Sequence, residues 1–283
     1  MAPHPDDESL CCGGVIERAR EAGAQVSIVW LTSGDAFEFD AAWVEHSLHP
    51  GAMGMRALGA RRMREARLAA LRLGVPAQRQ FFLGFPDRGL LPLLLDYVYV
   101  PYRSPYTGLS SVGYAGALQP GLAYEGANLE RELEGLLDRL RPTYVLAPSP
   151  LDEHPDHHAA GSLVIRVLGA RGELARARYW IVHGGADWPA PRGLHPDDAL
   201  LAPRLAAGLA WRSVPLDRAE RAAKMSALRE YRTQMFGLER RFLLAFVRTN
   251  ELFAKDPLPQ NTRRAPVSNA RSATMGAASP RSP

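Results

Sequence analysis

Six side chains from two short segments could share one hydrolytic site. The first segment, Met1-Ala2-Pro3-His4-Pro5-Asp6-Asp7-Glu8, opens the chain, and the second, His154-Pro155-Asp156-His157, lies near its middle. His4, Asp7 and His157 offer two imidazoles and a carboxylate, a donor set that suits Zn²⁺ with the fourth position left to water. Iron as Fe²⁺ could replace zinc in the same set. A water held by such an ion becomes a usable nucleophile near neutral pH. Asp6 adjoins Asp7 but cannot share its direction, which places it to accept a proton from that water. His154 stands one turn from His157, free to act as general acid or to polarise a carbonyl. Asp156 could hold an imidazole in its required tautomer. Together these parts describe hydrolysis of an amide or ester.

Other histidines carry less. His195-Pro196-Asp197-Asp198 repeats the first motif inside a Pro-rich loop, with no adjacent strand or small-residue helix, and is expected to be an ordinary surface turn. His46 and His49 are expected to be solvated, and His158 to pack or lie at the surface.

The elements that must bring the two segments together alternate between strand and helix. Ser9 to Ala22 reads as a helix ended by Gly23, with Gly13 and Gly14 permitting close backbone approach to a sheet. Gln25 to Thr32 reads as a strand, 35–56 as a long surface loop, Arg61 to Leu73 as a helix and Gln80 to Gly84 as a short strand. Residues 88–125, rich in Tyr, Pro and Gly, read as an insert forming a lid or substrate wall. Asn128 to Leu140 is an amphipathic helix. Thr143 to Ala147 is a buried strand running into the second motif, followed by a helix over Ala159 to Leu168 and a strand over Tyr179 to Val182. Leu216 to Met235 reads as a helix and Arg241 to Phe253 as a last ordered element. The alternation predicts an α/β fold, a mainly parallel, Rossmann-like sheet with helices on both faces in three layers. In such a sheet both motifs fall at the same edge. A metal-binding turn normally follows a buried strand, yet only Met1, Ala2 and Pro3 precede His4. The first strand is therefore expected to be missing or truncated, with Met1 an internal strand residue.

Composition narrows the partners. Residues 255–283 hold five basic side chains against Asp256, so the whole formal charge of +4 sits in this segment. A neutral body over 1–254 with a basic, disordered tail leaves no footprint for nucleic acid. No apolar run is long enough to span a bilayer. The adjacent Cys11 and Cys12 imply no disulfide framework and are expected to pack a helix against the sheet. No secretory signal is visible and the expected compartment is the cytoplasm, although the short N-terminus leaves localisation open. Oligomeric state is left open. A nucleotide-binding oxidoreductase would need G-x-G-x-x-G after a strand, and none occurs.

At the two motifs the chain resembles the PIG-L/LmbE-like de-N-acetylases, a family of zinc hydrolases. Pro3 to Glu8 is similar to the family's A-H-P-D-D-E, and His154 to His157 to its H-P-D-H. Arg62 to Gly74 (RMREARLAALRLG) resembles the family's Arg/Glu-bearing helix. Leu83 to Leu90 (LGFPDRGL) is similar to its L-G-x-P-D-G-x-L turn, with Arg88 for the usual Gly, and Lys224 to Gln234 (KMSALREYRTQ) to a late helix. The resemblance implies His4, Asp7 and His157 as metal ligands, Asp6 as general base and His154 as the group that stabilises the tetrahedral intermediate or protonates the leaving amine. It places Asp87 and Arg62 or Arg64 on the substrate side. His183 falls either at the pocket or in a satisfied strand end. Ser149 stands where many relatives have histidine, so substrate contacts there are expected to differ. The implied substrate is a small N-acetylated sugar or sugar conjugate. The alternatives are an amidase acting on another amide, such as a thiol-sugar conjugate, and a catalytically silent sugar-binding relative.

Overall fold

Four strands run parallel, and the loops after them build one edge of the molecule. In the computed structural model, which describes residues 1–259, β1 (Ile28–Thr32) pairs in parallel with β2 (Gln80–Phe85). A second sheet has the order β3 (Val145–Pro148), β4 (Ala177–Trp180), β6 (Asn250–Ala254), β5 (Trp211–Pro215). There β3 and β4 are parallel, whereas β6 runs antiparallel to both β4 and β5. The architecture is α/β, and its four-stranded sheet is mixed, with both parallel and antiparallel pairs. The reversed strand is β6, which lies between β4 and β5 and runs against both, so that β5 keeps the direction of β4.

Alternation along the strands divides the core in two. Ile28 and Trp30 of β1 and Phe82 of β2 face one apolar cluster with α1 (Asp7–Glu21), α3 (Gly51–Arg72) and α7 (Arg218–Leu228). Val29, Leu31, Phe81 and Leu83 face the other, with α4 (Leu90–Leu95), α5 (Gly126–Leu140) and α6 (Pro155–Ala170). Helices therefore cover both faces, as a period-two strand buried on each side requires.

Residues 1–3 bridge the two sheets. The Ala2 amide donates to Val29 (2.8 Å), the Leu31 amide to Ala2 (2.9 Å) and the Thr32 amide to Pro3 (3.0 Å), while the Met1 amine donates to the Leu146 carbonyl (2.7 Å). Three residues thus supply the strand end that the motif needs. Beyond Met1 a cavity of about 610 Å³ continues between β1 and β3, walled mainly by apolar side chains such as Ile16, Leu133 and Leu137. Met1 and Glu8 reach its wall, but none of His4, Asp6, Asp7, His154, Asp156 and His157 does.

Several expected boundaries shift. The loop expected over 35–56 contains α2 (Glu38–Glu45) and the first turns of α3. The helix expected to reach Met235 stops at Leu228. The last element divides into α8 (Gly237–Leu244) and β6. Cys11 and Cys12 pack in the core as expected, but their sulfurs are bonded to each other. That bridge encloses only two neighbouring residues and so cross-links no separate parts of the chain. From residue 260 on, the expected basic tail lies outside the described residues. No helix among the described residues is long and apolar enough to cross a membrane.

Candidate active site

The segment 1–3 and the four parallel strands all deliver functional side chains at their carboxyl ends. His4, Asp6 and Asp7 follow the N-terminal bridge, Asp35 follows β1, Asp87 follows β2, Asp152 to His157 follow β3, and His183 follows β4. This edge is where open α/β sheets place their ligands. A cleft of about 310 Å³ opens there, lined by His4, Asp6, Asp7, Arg62, Asp87, Arg88, His154, His183, Gln234 and Glu239, with Phe37 and Phe242 as apolar walls.

Three donor atoms meet at the base of the cleft. His4 Nδ1 lies 3.2 Å from His157 Nε2 and 3.4 Å from Asp7 Oδ2, and His157 Nε2 lies 3.2 Å from the same carboxylate oxygen. A tetrahedral ion with ligands at about 2.0–2.1 Å demands separations of about 3.3 Å between them, so the three atoms already form one face of such a tetrahedron. Each imidazole is also held from behind. His4 Nε2 sits 3.2 Å from both Asp87 Oδ1 and Asp156 Oδ2, and His157 Nδ1 sits 3.1 Å from Asp152 Oδ2. A carboxylate on one ring nitrogen leaves the other free to bind a cation. His154 adds a third imidazole whose ring nitrogen is within 4.8 Å of those of His4 and His157.

The carboxylates are themselves anchored. Asp156 accepts the Arg88 amide (2.6 Å) and the Leu90 amide (3.0 Å), locking the β2–α4 turn to the start of α6. Asp152 accepts the Val182 (2.8 Å) and His183 (3.0 Å) amides, fixing the loop after β3 to the end of β4. Asp87 accepts the Ala36 amide at 3.0 Å. The expectation for Asp156 therefore needs refining: it orients His4, while His157 is oriented by Asp152. Asp152 carried no motif in the sequence, and only its position two residues before His154 on the same loop could have flagged it.

Asp6 sits at the N-terminus of α1 with φ of 125°, a conformation costly for a residue with a Cβ. Its carboxylate accepts a hydrogen bond from Gln234 Nε2 at 2.7 Å. Early termination of α7 makes this contact possible. Residues beyond Leu228 turn inward, so that Tyr231 donates to Glu8, Thr233 Oγ1 donates to Glu65 (2.6 Å) and Gln234 reaches Asp6. Tertiary hydrogen bonds thus override a run with good helix propensity.

Burial and charge set the protonation states. Burial would raise the Asp7 carboxyl, but the His157 beside it holds it well below the usual range. Burial works against a charge on His157, yet Asp152 and Asp7 overcome it and push its pKa up to about 10. The field that holds a proton there also favours a cation. Asp6 is raised, by burial first and then by the Asp7 charge. Burial and the positive fields of His4, His157 and His183 push His154 down to about 2. His154 Nδ1 accepts the Asp156 amide at 3.2 Å, so the neutral ring carries its proton on Nε2.

Among the substrate-side expectations, Arg62 is buried in the cleft wall, donating to Gly34 O (3.0 Å) and to Asp40, whereas Arg64 is exposed on α3 and does not reach the cleft. His183 lines the cleft, its ring 4.7 Å from that of His157. Ser149 is buried, donates to Pro257 O at 3.0 Å and lies outside the cleft lining. Of the 88–125 insert only Arg88 lines the cleft. Tyr114 and Tyr124 are buried instead, donating to Asp35 and to Gly84 O. The second HPDD copy forms a turn in which the Asp198 amide donates to His195 O at 3.2 Å, apart from the cleft.

The side chains at this edge can hold a cation beside acid/base groups, and comparison with known proteins gives the family they belong to. The chain belongs to the PIG-L family, described as GlcNAc-PI de-N-acetylase, whose sequence profile matches residues 1–168. It is 28% identical over 246 residues to the 1D-myo-inositol 2-acetamido-2-deoxy-alpha-D-glucopyranoside deacetylase of Mycobacteroides abscessus, covering 82% of this chain and 79% of that one. Identity to the protein of the same name from Saccharomonospora viridis is 31%, over 63% of this chain and 60% of the relative, under two thirds of that relative's length. The fold is similar to that of a solved antimicrobial pseudoaglycone deacetylase, with a TM-score of 0.57 and 20% identity over 89% of this chain and 93% of that one.

Proposed function

We propose that the protein is a metal-dependent de-N-acetylase that removes the acetyl group from an N-acetylated sugar conjugate. The observation that carries this reading is the triangle of His4 Nδ1, His157 Nε2 and Asp7 Oδ2, with edges of 3.2–3.4 Å. Its donor chemistry fits zinc, with Fe²⁺ as the other divalent ion such a set accepts. A bound ion supplies an activated water and polarises the acyl carbonyl.

The remaining work falls to side chains in hand. Asp6, its carboxyl raised by burial and oriented by Gln234, takes the proton of the attacking water. His154 presents Nε2–H to the carbonyl oxygen as negative charge develops there. The proton on Asp6 then passes to the departing sugar amine. Arg62, Asp87 and His183 line the walls and position the sugar. Similar proteins named as deacetylases of an acetamido-deoxy-glucopyranoside and of diacetylchitobiose support the substrate class.

Asp6→Ala is the direct test. It should lower kcat for release of acetate from N-acetylated sugars by about 10²–10⁴-fold while the bound metal stays near one per chain. Undiminished hydrolysis would remove Asp6 as the base.

A further inference from the structure

Two buried carboxylates take over the chain where helix α7 ends. Had the helix run on, the Thr233 amide would donate to the Arg229 carbonyl one turn back. Instead it donates to Glu65 of α3, 3.2 Å from each carboxylate oxygen, and the Thr233 hydroxyl donates to Glu65 Oε2 at 2.6 Å. Two residues earlier, the Tyr231 hydroxyl donates to Glu8. An acid of α3 and an acid of α1 thus grip the segment 229–235 together. Glu65 and Thr233 are buried, and neither lines the cleft. The other charge close to Glu65 is Arg61, an exposed neighbour on the same helix at 3.5 Å.

The residue after Thr233 gives this grip its consequence. Gln234 lines the cleft and donates from Nε2 to Asp6 Oδ2 at 2.7 Å. Its Oε1 is buried without a partner, so that one hydrogen bond is the side chain's only polar anchor. The aim of Nε2 therefore depends on the backbone that carries it. The Gln234 amide donates to Tyr231 O (3.0 Å) within the same turn, and Thr233 ties that turn to α3. Hydrogen bonds to a carboxylate are the strong kind, suited to fixing a segment that belongs to no helix or strand.

We propose that Glu65 is a positioning residue for the catalytic base: through Thr233 it fixes Gln234, and through Gln234 it fixes the Asp6 carboxylate. The inference rests on the deacetylase reading and on Asp6 as its base. With Gln234 bonded to Oδ2, Oδ1 is the oxygen that takes the proton of the attacking water. Loss of the grip frees the Thr233 amide to bond back to Arg229, which draws Gln234 away from Asp6. Glu65 touches neither the proposed metal ligands nor the cleft, so its effect falls on turnover rather than on binding of metal or sugar.

A cycle of substitutions, read by steady-state acetate release from methyl N-acetylglucosaminide, tests the link. The metal-loaded proteins are the wild type, Glu65→Leu, Glu65→Gln, Gln234→Ala and the double variant Glu65→Leu/Gln234→Ala, each checked for unfolding temperature and metal content. Glu65→Leu should lower kcat by about 10–100-fold, the scale of a misplaced reacting group, with KM and one metal per chain retained. Glu65→Gln keeps an acceptor for the Thr233 hydroxyl and should recover part of that rate. Gln234→Ala should cost a similar factor, and the double variant no more than the larger single loss. Unchanged kcat in Glu65→Leu, a rise in KM without loss of kcat, or losses that multiply in the double variant overturns the inference. If Glu65→Leu fails to fold, Thr233→Val removes the hydroxyl donor, keeps the amide and takes its place in the cycle. A loss of about tenfold is then expected, with the same overturning outcomes. The readings fail separately. Wild-type turnover with multiplying losses removes only the role of Glu65. A wild type that releases no acetate removes the deacetylase reading and this inference with it, and undiminished turnover in Asp6→Ala does the same for the base.

Discussion

Asp152 makes five contacts that no motif announces. It faces His157 Nδ1, lies 3.3 Å from His183 Nδ1 and accepts the amides of His154, Val182 and His183, so one carboxylate orients a proposed ligand and joins two strand ends. Asp152→Asn keeps the size but removes the charge, and should weaken metal affinity by about 10–100-fold in a chelator competition. Asp35 tests the buried electrostatics separately. Burial and the neighbouring Asp87 push its carboxyl up to about 7. A carboxyl whose folded pKa lies above its unfolded value binds more protons when folded. Its contribution is therefore most favourable below about pH 4 and is lost as pH rises towards 7. Asp35→Asn should flatten that decline, so that its unfolding temperature gains on the wild type as pH is raised from 4 to 8. An unchanged slope would show that Asp35 titrates as an ordinary carboxyl. The residues of the site divide by how the sequence exposes them. His4, Asp7, His157 and Asp6 were legible because adjacent acids and paired histidines are chemically conspicuous. Asp152 and Gln234 were not, because their roles exist only once distant loops meet.

At the scale of elements, helix α1 depends on a buried ion pair from outside it. Lys224 Nζ donates to the Leu10 carbonyl (2.8 Å) and to Glu251 (2.7 Å), and Glu251 accepts the amides of Gly14 and Val15 (2.9 Å each). A Cβ on Gly14 would meet Leu216 at 2.6 Å, and one on Gly13 would meet Lys224 at 3.0 Å. The two glycines thus admit α7 and its approach, rather than the sheet. Lys224→Met should cost about 3–5 kcal/mol, because Glu251 keeps its charge without its partner. Adding Glu251→Gln should return part of that loss, as read by urea unfolding. Additive losses would mean the two side chains act independently. Strands β1 and β3 and helix α5 were readable from period and β-branched content. The starts of α3 and α6 and the end of α7 were less so. Pro155 takes the first helical turn with His154 as the N-cap, and tertiary hydrogen bonds end α7 at Leu228.

For the whole molecule, mixed strand direction was not legible, since alternating strand and helix patterns look alike until the last crossover fails. The arrangement nonetheless keeps β1 to β4 parallel, which is all the cleft requires. Their carboxyl ends converge with the segment 1–3, bringing His4 and His157 within 3.2 Å of each other. The most direct test of this convergence is metal analysis combined with X-ray absorption at the zinc edge on the metal-loaded protein. One ion per chain is expected, with only nitrogen and oxygen neighbours at about 2.0–2.1 Å, and its loss in Asp7→Ala and His157→Ala. A sulfur neighbour near 2.3 Å, or full occupancy in both variants, would place the metal elsewhere and contradict the account.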